Sequence, residues 1–461
     1  MIRVPGFEGR RVAVFGLGRS GLTAARALKA GGAEPVLWDD GISSRMQAEA
    51  EGFAVEDLTT SDWSGFAALV LAPGVPLTHP VPHWTVEKAQ EAGVEIVGDL
   101  ELFARALAAL PAGKRPRVVA ITGTNGKSTT TALIAWVLKQ AGLTVHMGGN
   151  IGIGVLALPE PVPGAVYVIE CSSYQLDLTT RFAPDVAILT NISPDHLDRH
   201  GGMDGYVAAK ARIFEHAGLS LVGVDEQEGQ RIETQLALAG RRTQQISSKA
   251  FSTPLDHILY DNGWIRLPGQ SIDLTAARSL AGRHNAQNAA FAYGAARELG
   301  VDHETAVEGL LSFPGLAHRM EPVGRVGRVR FINDSKATNA DAARQALGAF
   351  ERVFWIAGGR AKAGGIDDLT ELFPRVVEAF LIGEAAGPFA AALGEVPHRI
   401  SGDMASAVQQ AFEAASATGR EEVVLLSPAA ASFDQFPDFE VRGEAFRAAA
   451  LALGAQPEGA A

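Results

Sequence analysis

The run Val118-Val119-Ala120-Ile121-Thr122, continuing into Gly123-Thr124-Asn125-Gly126-Lys127-Ser128-Thr129, constrains this chain more than any other stretch. A β-branched segment fit for a buried strand passes through two glycines into a helical pattern, with Leu133, Ile134, Val137 and Leu138 on one face. Glycines let backbone N–H groups turn inward around a phosphate, and the helix N-terminus adds partial positive charge. Lys127 can reach outer phosphates, and the Ser128 hydroxyl suits Mg²⁺. The usual phosphate loop has a glycine five residues before its second one; here Ile121 stands there, so the loop is shortened to G-x-x-G-K-S. A glycine–lysine pair alone marks an ordinary turn, but the strand before and the helix after select an ATP site.

At 461 residues the chain exceeds one core, and roughly 150 residues per domain predicts three. Its net charge of −12 argues against a nucleic-acid binder, while local lysines and arginines leave room for an anionic substrate. A single cysteine, Cys171, excludes an intrachain disulfide and fits a reducing cytoplasm. It ends the apolar run Val166–Ile169 and reads as a buried thiol, not a nucleophile. With no basic segment leading a long apolar run, and no run of membrane-spanning length, a soluble cytoplasmic protein without membrane partners is expected.

Arg11 to Phe15 reads as a strand, followed by Gly16-Leu17-Gly18-Arg19-Ser20-Gly21 and a helix through Lys29. Asp39 and Asp40 close the next strand. Glycines for close pyrophosphate approach, with an acid about 20 residues on, fit a dinucleotide site. The same geometry seats any diphosphate, so the ligand stays open. Ala67 to Leu71 leads into the turn Ala72-Pro73-Gly74-Val75-Pro76, and Pro111 to Pro116 reads as a linker.

Two strands after the phosphate loop deliver polar residues: Val166–Ile169 leads into Glu170, and Val186–Leu189 into Asp195-His196-Leu197-Asp198. Open α/β sheets bind ligands outside the carboxyl ends of their strands, so Glu170 and His196 converge on the edge that carries Lys127 and Ser128. A carboxylate beside a hydroxyl and phosphates suits Mg²⁺. Asn150 lies in a glycine loop, Lys210 on a helix from Tyr206 to Phe214, and Asn285 caps an apolar helix or reads a base edge. Glu226 to Arg266 reads as peripheral strands and turns. Beyond Phe331, strands at Val353–Ala357, Ala379–Ile382 and Glu422–Leu426 alternate with helices, predicting a second Rossmann-like sheet. Its loops hold the cations Lys336, Arg360 and Lys362, while the tail from Leu453 reads as frayed.

Taken together, GTNGKST, ECSSYQL, NISPDHLDRH, the YVAAK helix, GRHNAQN, HRME, NDSKATN and SPAAASFDQF resemble the Mur ligase family along nearly the whole chain. GLGRSG and SFDQF are most similar to its D-glutamate-adding branch. The resemblance implies an α/β fold in three domains: a Rossmann-like UDP-substrate domain (1–105), a central P-loop ATPase-like domain with a mostly parallel sheet (106–316) and a Rossmann-like amino-acid domain (317–461). It implies a monomer that joins D-glutamate to UDP-N-acetylmuramoyl-L-alanine using ATP and two Mg²⁺, through an acyl phosphate.

By the same resemblance, Gly123, Thr124, Asn125, Gly126, Lys127, Ser128 and Thr129 cradle the phosphates. Asn285 and Asn288 take the adenine side, Arg319 and Lys336 the phosphates, and Asp334 the ribose. Ser128 and Glu170 hold one Mg²⁺. His196 and Lys210, as a carbamate, serve the second, and Lys127, His196 and Lys210 carry catalysis. Ser20, Asp39 and Gly74 face uridine diphosphate, and Asn150 the muramoyl peptide. Thr338 and Lys362 take the α-carboxylate of D-glutamate, Ser432 and the Phe439 backbone its side-chain carboxylate. Two positions depart from the family pattern: Asp40-Gly41 replaces a threonine–arginine pair, and Arg360 stands where aspartate is usual. Other readings are an NAD-dependent oxidoreductase built on GLGRSG, a nucleotide-binding switch without chemistry, and a sister or folate ligase.

Overall fold

The computed structural model describes residues 1–249, 257–280, 282–361 and 364–456, apart from the Arg278 side chain. Two compact units result, Met1–Phe313 and Pro314–Ala461.

The first unit holds two sheets. One consists of β1 (Arg11–Phe15), β2 (Glu34–Trp38), β3 (Ala54–Val55), β4 (Ala68–Leu71) and β5 (Glu95–Val97), all parallel in the order β3-β2-β1-β4-β5. The larger sheet contains β6 (Arg117–Thr122), β7 (Val145–Gly149), β8 (Val166–Glu170), β9 (Val186–Leu189), β10 (Leu219–Gly223), β11 (Thr243–Ser247), β12 (His257–Asp261), β13 (Trp264–Leu267) and β14 (Gln270–Asp273). Its order is β14-β13-β12-β11-β10-β9-β6-β8-β7, parallel except for the antiparallel β12-β13-β14 flank.

A sheet covered on both faces needs strands that are apolar throughout. β6 meets that demand, with Val118, Val119, Ala120 and Ile121 all buried. It lies between β8 and β9 while its own crossover helix (Lys127–Gln140) leads out to β7. That reversal of strand order brings the loops after β6, β8 and β9 together at one carboxyl edge.

The first unit's two sheets are joined by specific polar links. Gln175 Nε2 donates to both oxygens of buried Asp99, at 3.3 and 3.1 Å. Glu101 accepts the backbone N–H groups of Thr180 and Arg181 at 2.8 and 2.9 Å.

The second unit contains β15 (Glu321–Val326), β16 (Val329–Asn333), β17 (Val353–Gly358), β18 (Val376–Ile382), β19 (His398–Gly402) and β20 (Glu422–Leu426). The order is β15-β16-β20-β17-β18-β19, and only the β15–β16 pair is antiparallel.

Two expectations need correction. Inside the stretch read as strands and turns lies a helix, Gln227–Leu238, held by a narrow stripe of Ile232 and Leu236 against the core. Its other residues are mostly polar or small, which hides the helical period. Within the tail, the Gln456 backbone exchanges hydrogen bonds with Arg325 at 3.0 and 2.9 Å, and Ala455 is buried, so the stretch Leu453 to Gln456 is held and not frayed. Pro457 and Gly459 lie outside the described residues.

Candidate active site

The loop after β6 turns on Gly123 and Gly126, both at positive φ (143° and 83°). At Gly126 an added Cβ would stand 2.6 Å from Asn288 Oδ1. Asn288 is buried; it accepts from Thr130 Oγ1 at 3.0 Å and donates to Asn285 Oδ1 at 3.2 Å. The asparagine read as an adenine contact thus also buttresses the phosphate loop from the Arg283–Glu298 helix. Gly126→Ala is expected to strain the loop by about 1–3 kcal/mol. Initial-rate kinetics should show a raised KM for ATP in a chain that still folds.

The next strand anchors the other side of the loop. Asn191 Oδ1 accepts from Asn125 N at 2.8 Å, Thr190 Oγ1 donates to Asn125 O at 2.7 Å, and Thr124 Oγ1 donates to Ser193 O at 3.1 Å. Thr190 does not stand out in the sequence, and Asn191, though it opens NISPDHLDRH, carries no role there, since both follow directly on a strand end. Ser128 is buried at the helix start, with Thr129 beside it.

Two lysines converge on one carbonyl. Lys127 Nζ donates to Gly123 O and Thr124 O at 2.9 and 2.8 Å, and Lys210 Nζ donates to the same Gly123 O at 2.7 Å. Lys210 comes from the Met203–Ala211 helix, is 2% exposed and lies 4.6 Å from the centre of the Tyr206 ring. Burial first, and then the Lys127 charge, pull its amine well below the ordinary lysine range; Asp195 and Glu170 oppose that shift.

Glu170 ends β8 and is buried. Its Oε1 accepts from Asn150 Nδ2 at 2.9 Å, while its buried Oε2 has no hydrogen-bond partner. A carboxylate oxygen in that state fits a cation, and a hard oxygen ligand of this kind suits Mg²⁺. Among the described residues, no three His, Cys, Asp or Glu side chains form a metal-holding group by themselves. Any Mg²⁺ here would therefore rely on Glu170, the serine hydroxyl, water and phosphate oxygens.

His196 stands in the left-handed region (φ 51°) on the loop after β9. Its Nε2 is 3.4 Å from Asp195 Oδ2, and its ring centroid is 5.1 Å from that of Tyr174. Tyr174 also carries the Arg199 guanidinium at 4.6 Å and stacks on buried His200 at 5.5 Å. Arg199 Nη1 donates to Gly74 O at 2.7 Å, tying the turn after β4 to this cluster, and its buried Nε has no partner. Arg199 escaped the sequence reading because an arginine in a polar loop usually lies in solvent.

In the glycine turn after β1, Gly21 packs the helix on the strand, a Cβ there standing 1.9 Å from Gly16 O, whereas Gly18 faces open space. Asp39 accepts from Leu17 N and Gly41 N at 2.6 and 2.7 Å, so it shapes this turn whatever else it binds. Ser20 lies in the first turn of the Arg19–Ala30 helix. Arg19 Nη1 donates to Gly152 O at 2.8 Å, bringing the turn toward the Asn150 loop.

In the second unit, Asp334 is buried and accepts from Ser427 Oγ at 2.9 Å and Met320 N at 3.1 Å. Burial pushes its carboxyl up to about 7. Lys336 Nζ lies 3.8 Å from the centre of the Phe439 ring, on the helix Phe439–Ala452, and Arg319 adjoins buried His318. Thr338 leads into the Ala340–Gly348 helix, and Ser432 is buried. Lys362 lies outside the described residues. Arg360, one of the three cations noted on these loops, pairs with Glu384 through two hydrogen bonds of 3.1 and 3.2 Å at the surface.

Residues 121–296 match the Mur ligase middle domain, and residues 318–430 the Mur ligase, glutamate ligase domain. The UDP-N-acetylmuramoylalanine--D-glutamate ligase of Caulobacter vibrioides is 61% identical over 99% of this chain and 98% of its own. The chain belongs to the Mur ligase family. The enzyme of the same name from Agrobacterium fabrum is 52% identical to this Mur ligase over 98% of the chain and 97% of its own. Among solved structures, UDP-N-acetylmuramate-alanine ligase of Thermotoga maritima superimposes with a TM-score of 0.58 at 16% identity, covering 96% of this Mur ligase and 99% of that chain, a likeness of fold alone. An oxidoreductase built on Gly16–Gly21 is set aside. No helix among the described residues of this Mur ligase is long and apolar enough to cross a membrane.

Proposed function

We propose that the chain joins D-glutamate to UDP-N-acetylmuramoyl-L-alanine in peptidoglycan precursor synthesis, using ATP and Mg²⁺. The observation that carries the chemistry is the meeting of Lys127, Lys210 and Gly123 beside a buried Glu170 with an unpartnered oxygen. High identity to ligases bearing that substrate name supports the specificity.

In this reading the alanyl carboxylate attacks the γ-phosphorus of ATP, and ADP leaves. The amine of D-glutamate then adds to the acyl phosphate carbonyl, loses a proton and expels inorganic phosphate. A bare carboxylate cannot leave as oxide, so phosphorylation supplies the leaving group. The protein aligns the reactants and stabilises charge. Lys127 and the N–H groups of 123–129 hold the triphosphate. Mg²⁺, held by Ser128 and Glu170, and a second ion served by His196 and Lys210, would neutralise the phosphate charge. The lowered basicity of Lys210 supports a neutral amine able to take up CO₂ as a carbamate, which turns a cation into an anion fit for Mg²⁺.

The proposal includes three functional domains, at 1–105, 106–316 and 317–461. Ser20, Asp39, Gly74 and Asn150 serve the nucleotide-sugar substrate, and Asn285, Asn288, Arg319, Asp334 and Lys336 the ATP. Thr338, Lys362, Ser432 and Phe439 serve the amino acid. The chain acts as a cytoplasmic monomer. Phosphate release should require ATP, Mg²⁺, UDP-N-acetylmuramoyl-L-alanine and D-glutamate together. Equal release with L-alanine or a diamino acid in place of D-glutamate would refute the assigned specificity.

A further inference from the structure

One cation in the second unit is wholly enclosed. Arg442, on the Phe439–Ala452 helix, is 0% exposed, and burial lowers its guanidinium to about 10, so it remains charged at neutral pH. Among the described residues its hydrogen bonds go to backbone carbonyls and one hydroxyl, none to a carboxylate. Nε donates to Ser335 Oγ at 3.0 Å, Nη2 to Ser335 O at 2.8 Å, and Nη1 to Ala430 O at 2.9 Å and, more weakly, to Gly358 O at 3.5 Å. Ser335 Oγ in turn donates to Phe439 O at 2.8 Å. At Gly359 an added Cβ would stand 3.1 Å from Nη1 and 2.2 Å from Ala431 O, so the loop after β17 lies directly against the guanidinium.

These contacts touch the loops after β16, β17 and β20 and the first turn of the last helix. Burying a cation whose hydrogen bonds all go to neutral groups is costly, the Asp434 carboxylate offsetting only part of the penalty through its charge, and an apolar side chain would pack more stably. What a guanidinium offers in return is a rigid planar fork with five donors, able to fix several acceptors relative to one another. Lysine, with its donors at one point, cannot span them. Ser335 precedes Lys336 and Thr338, Ala430 lies two residues before Ser432, and Phe439 sits one turn before Arg442 itself.

We propose that Arg442 is the positioning residue of the amino-acid site, holding the strand-end loops that carry Thr338, Ser432 and Phe439 in one register without touching substrate. The inference rests on the amino-acid reading given above. It is tested by initial rates for Arg442→Lys and for Ser335→Ala, which removes only the hydroxyl link. Arg442→Lys is expected to raise the KM for D-glutamate roughly tenfold or more, and Ser335→Ala about threefold. In both, the KM values for ATP and for the nucleotide-sugar substrate should stay within about twofold of the unaltered chain. A general loss of structure would move all three KM values together, and that pattern overturns the proposal, as does an unchanged D-glutamate KM in both variants. If Arg442→Lys fails to fold, as judged by circular dichroism, Ser335→Ala alone decides by the same criterion. If the unaltered chain uses a different amino acid, the D-glutamate reading falls, and the comparison made with that amino acid still decides on Arg442.

Discussion

Exchanging Glu170 for glutamine is expected to lower kcat by roughly a hundredfold to a thousandfold with the fold intact. The two side chains have the same shape, and the glutamine carbonyl can still accept from Asn150 Nδ2, as Oε1 does at 2.9 Å. What changes is the other oxygen, buried and without a partner, which becomes a neutral N–H donor. A donor repels a cation where a carboxylate would hold it. The Mg²⁺ concentration giving half-maximal rate should therefore rise, while thermal unfolding moves little or upward because an unpaired buried charge has been removed. An unaltered kcat and Mg²⁺ dependence would remove Glu170 from the metal site.

Lys210→Met should separate activity from stability. Methionine fills a similar volume, so the helix keeps its packing. The residue's amine is buried beside Lys127, and both features disfavour its charged form. The folded-state pKa is lowered, so between that value and the ordinary one near 10.5 the unfolded chain binds the extra proton. Stability of the unaltered protein should rise with pH across that window, and below it the full penalty persists. In carbonate-free buffer, Lys210→Met is expected to unfold at a higher temperature than the unaltered chain. That advantage should shrink as pH approaches 10.5. Activity should nonetheless fall roughly a hundredfold or more, because the group assigned to the metal is gone. A variant that stays active, or is destabilised most at low pH, would contradict the assignment.

Much of this was legible in the sequence. Parallel strands covered on both faces announce themselves as continuous apolar runs, as β6 and β8 do, and glycines mark the loops that follow. The carboxyl-edge rule assigns Glu170 to the sheet edge that carries Lys127. Sequence logic ran out where an ordinary residue does its work through position. Thr190 and Asn191 brace the phosphate loop from a neighbouring strand, a relation that depends on strand order and not on spacing. Nothing in the residue pattern gives Arg199 or Arg442 a position of its own, yet one spans a turn and a tyrosine ring, and the other lies in the interior. The helix Gln227–Leu238 was lost because two apolar side chains sufficed to seat it, too few to register as a period.

The central sheet is lopsided, and this sets where the molecule tolerates change. The loops proposed to carry its chemistry follow β6, β8 and β9, while β12, β13 and β14 trail off as an antiparallel flap joined by tight turns on the far side of β10 and β11. Lengthening those turns extends a surface ribbon and leaves the reactive edge undisturbed, whereas one added residue among the inner strands rotates a side chain out of alignment. Evolutionary latitude, and room for an engineered graft, is thus concentrated on one flank of an otherwise unforgiving scaffold.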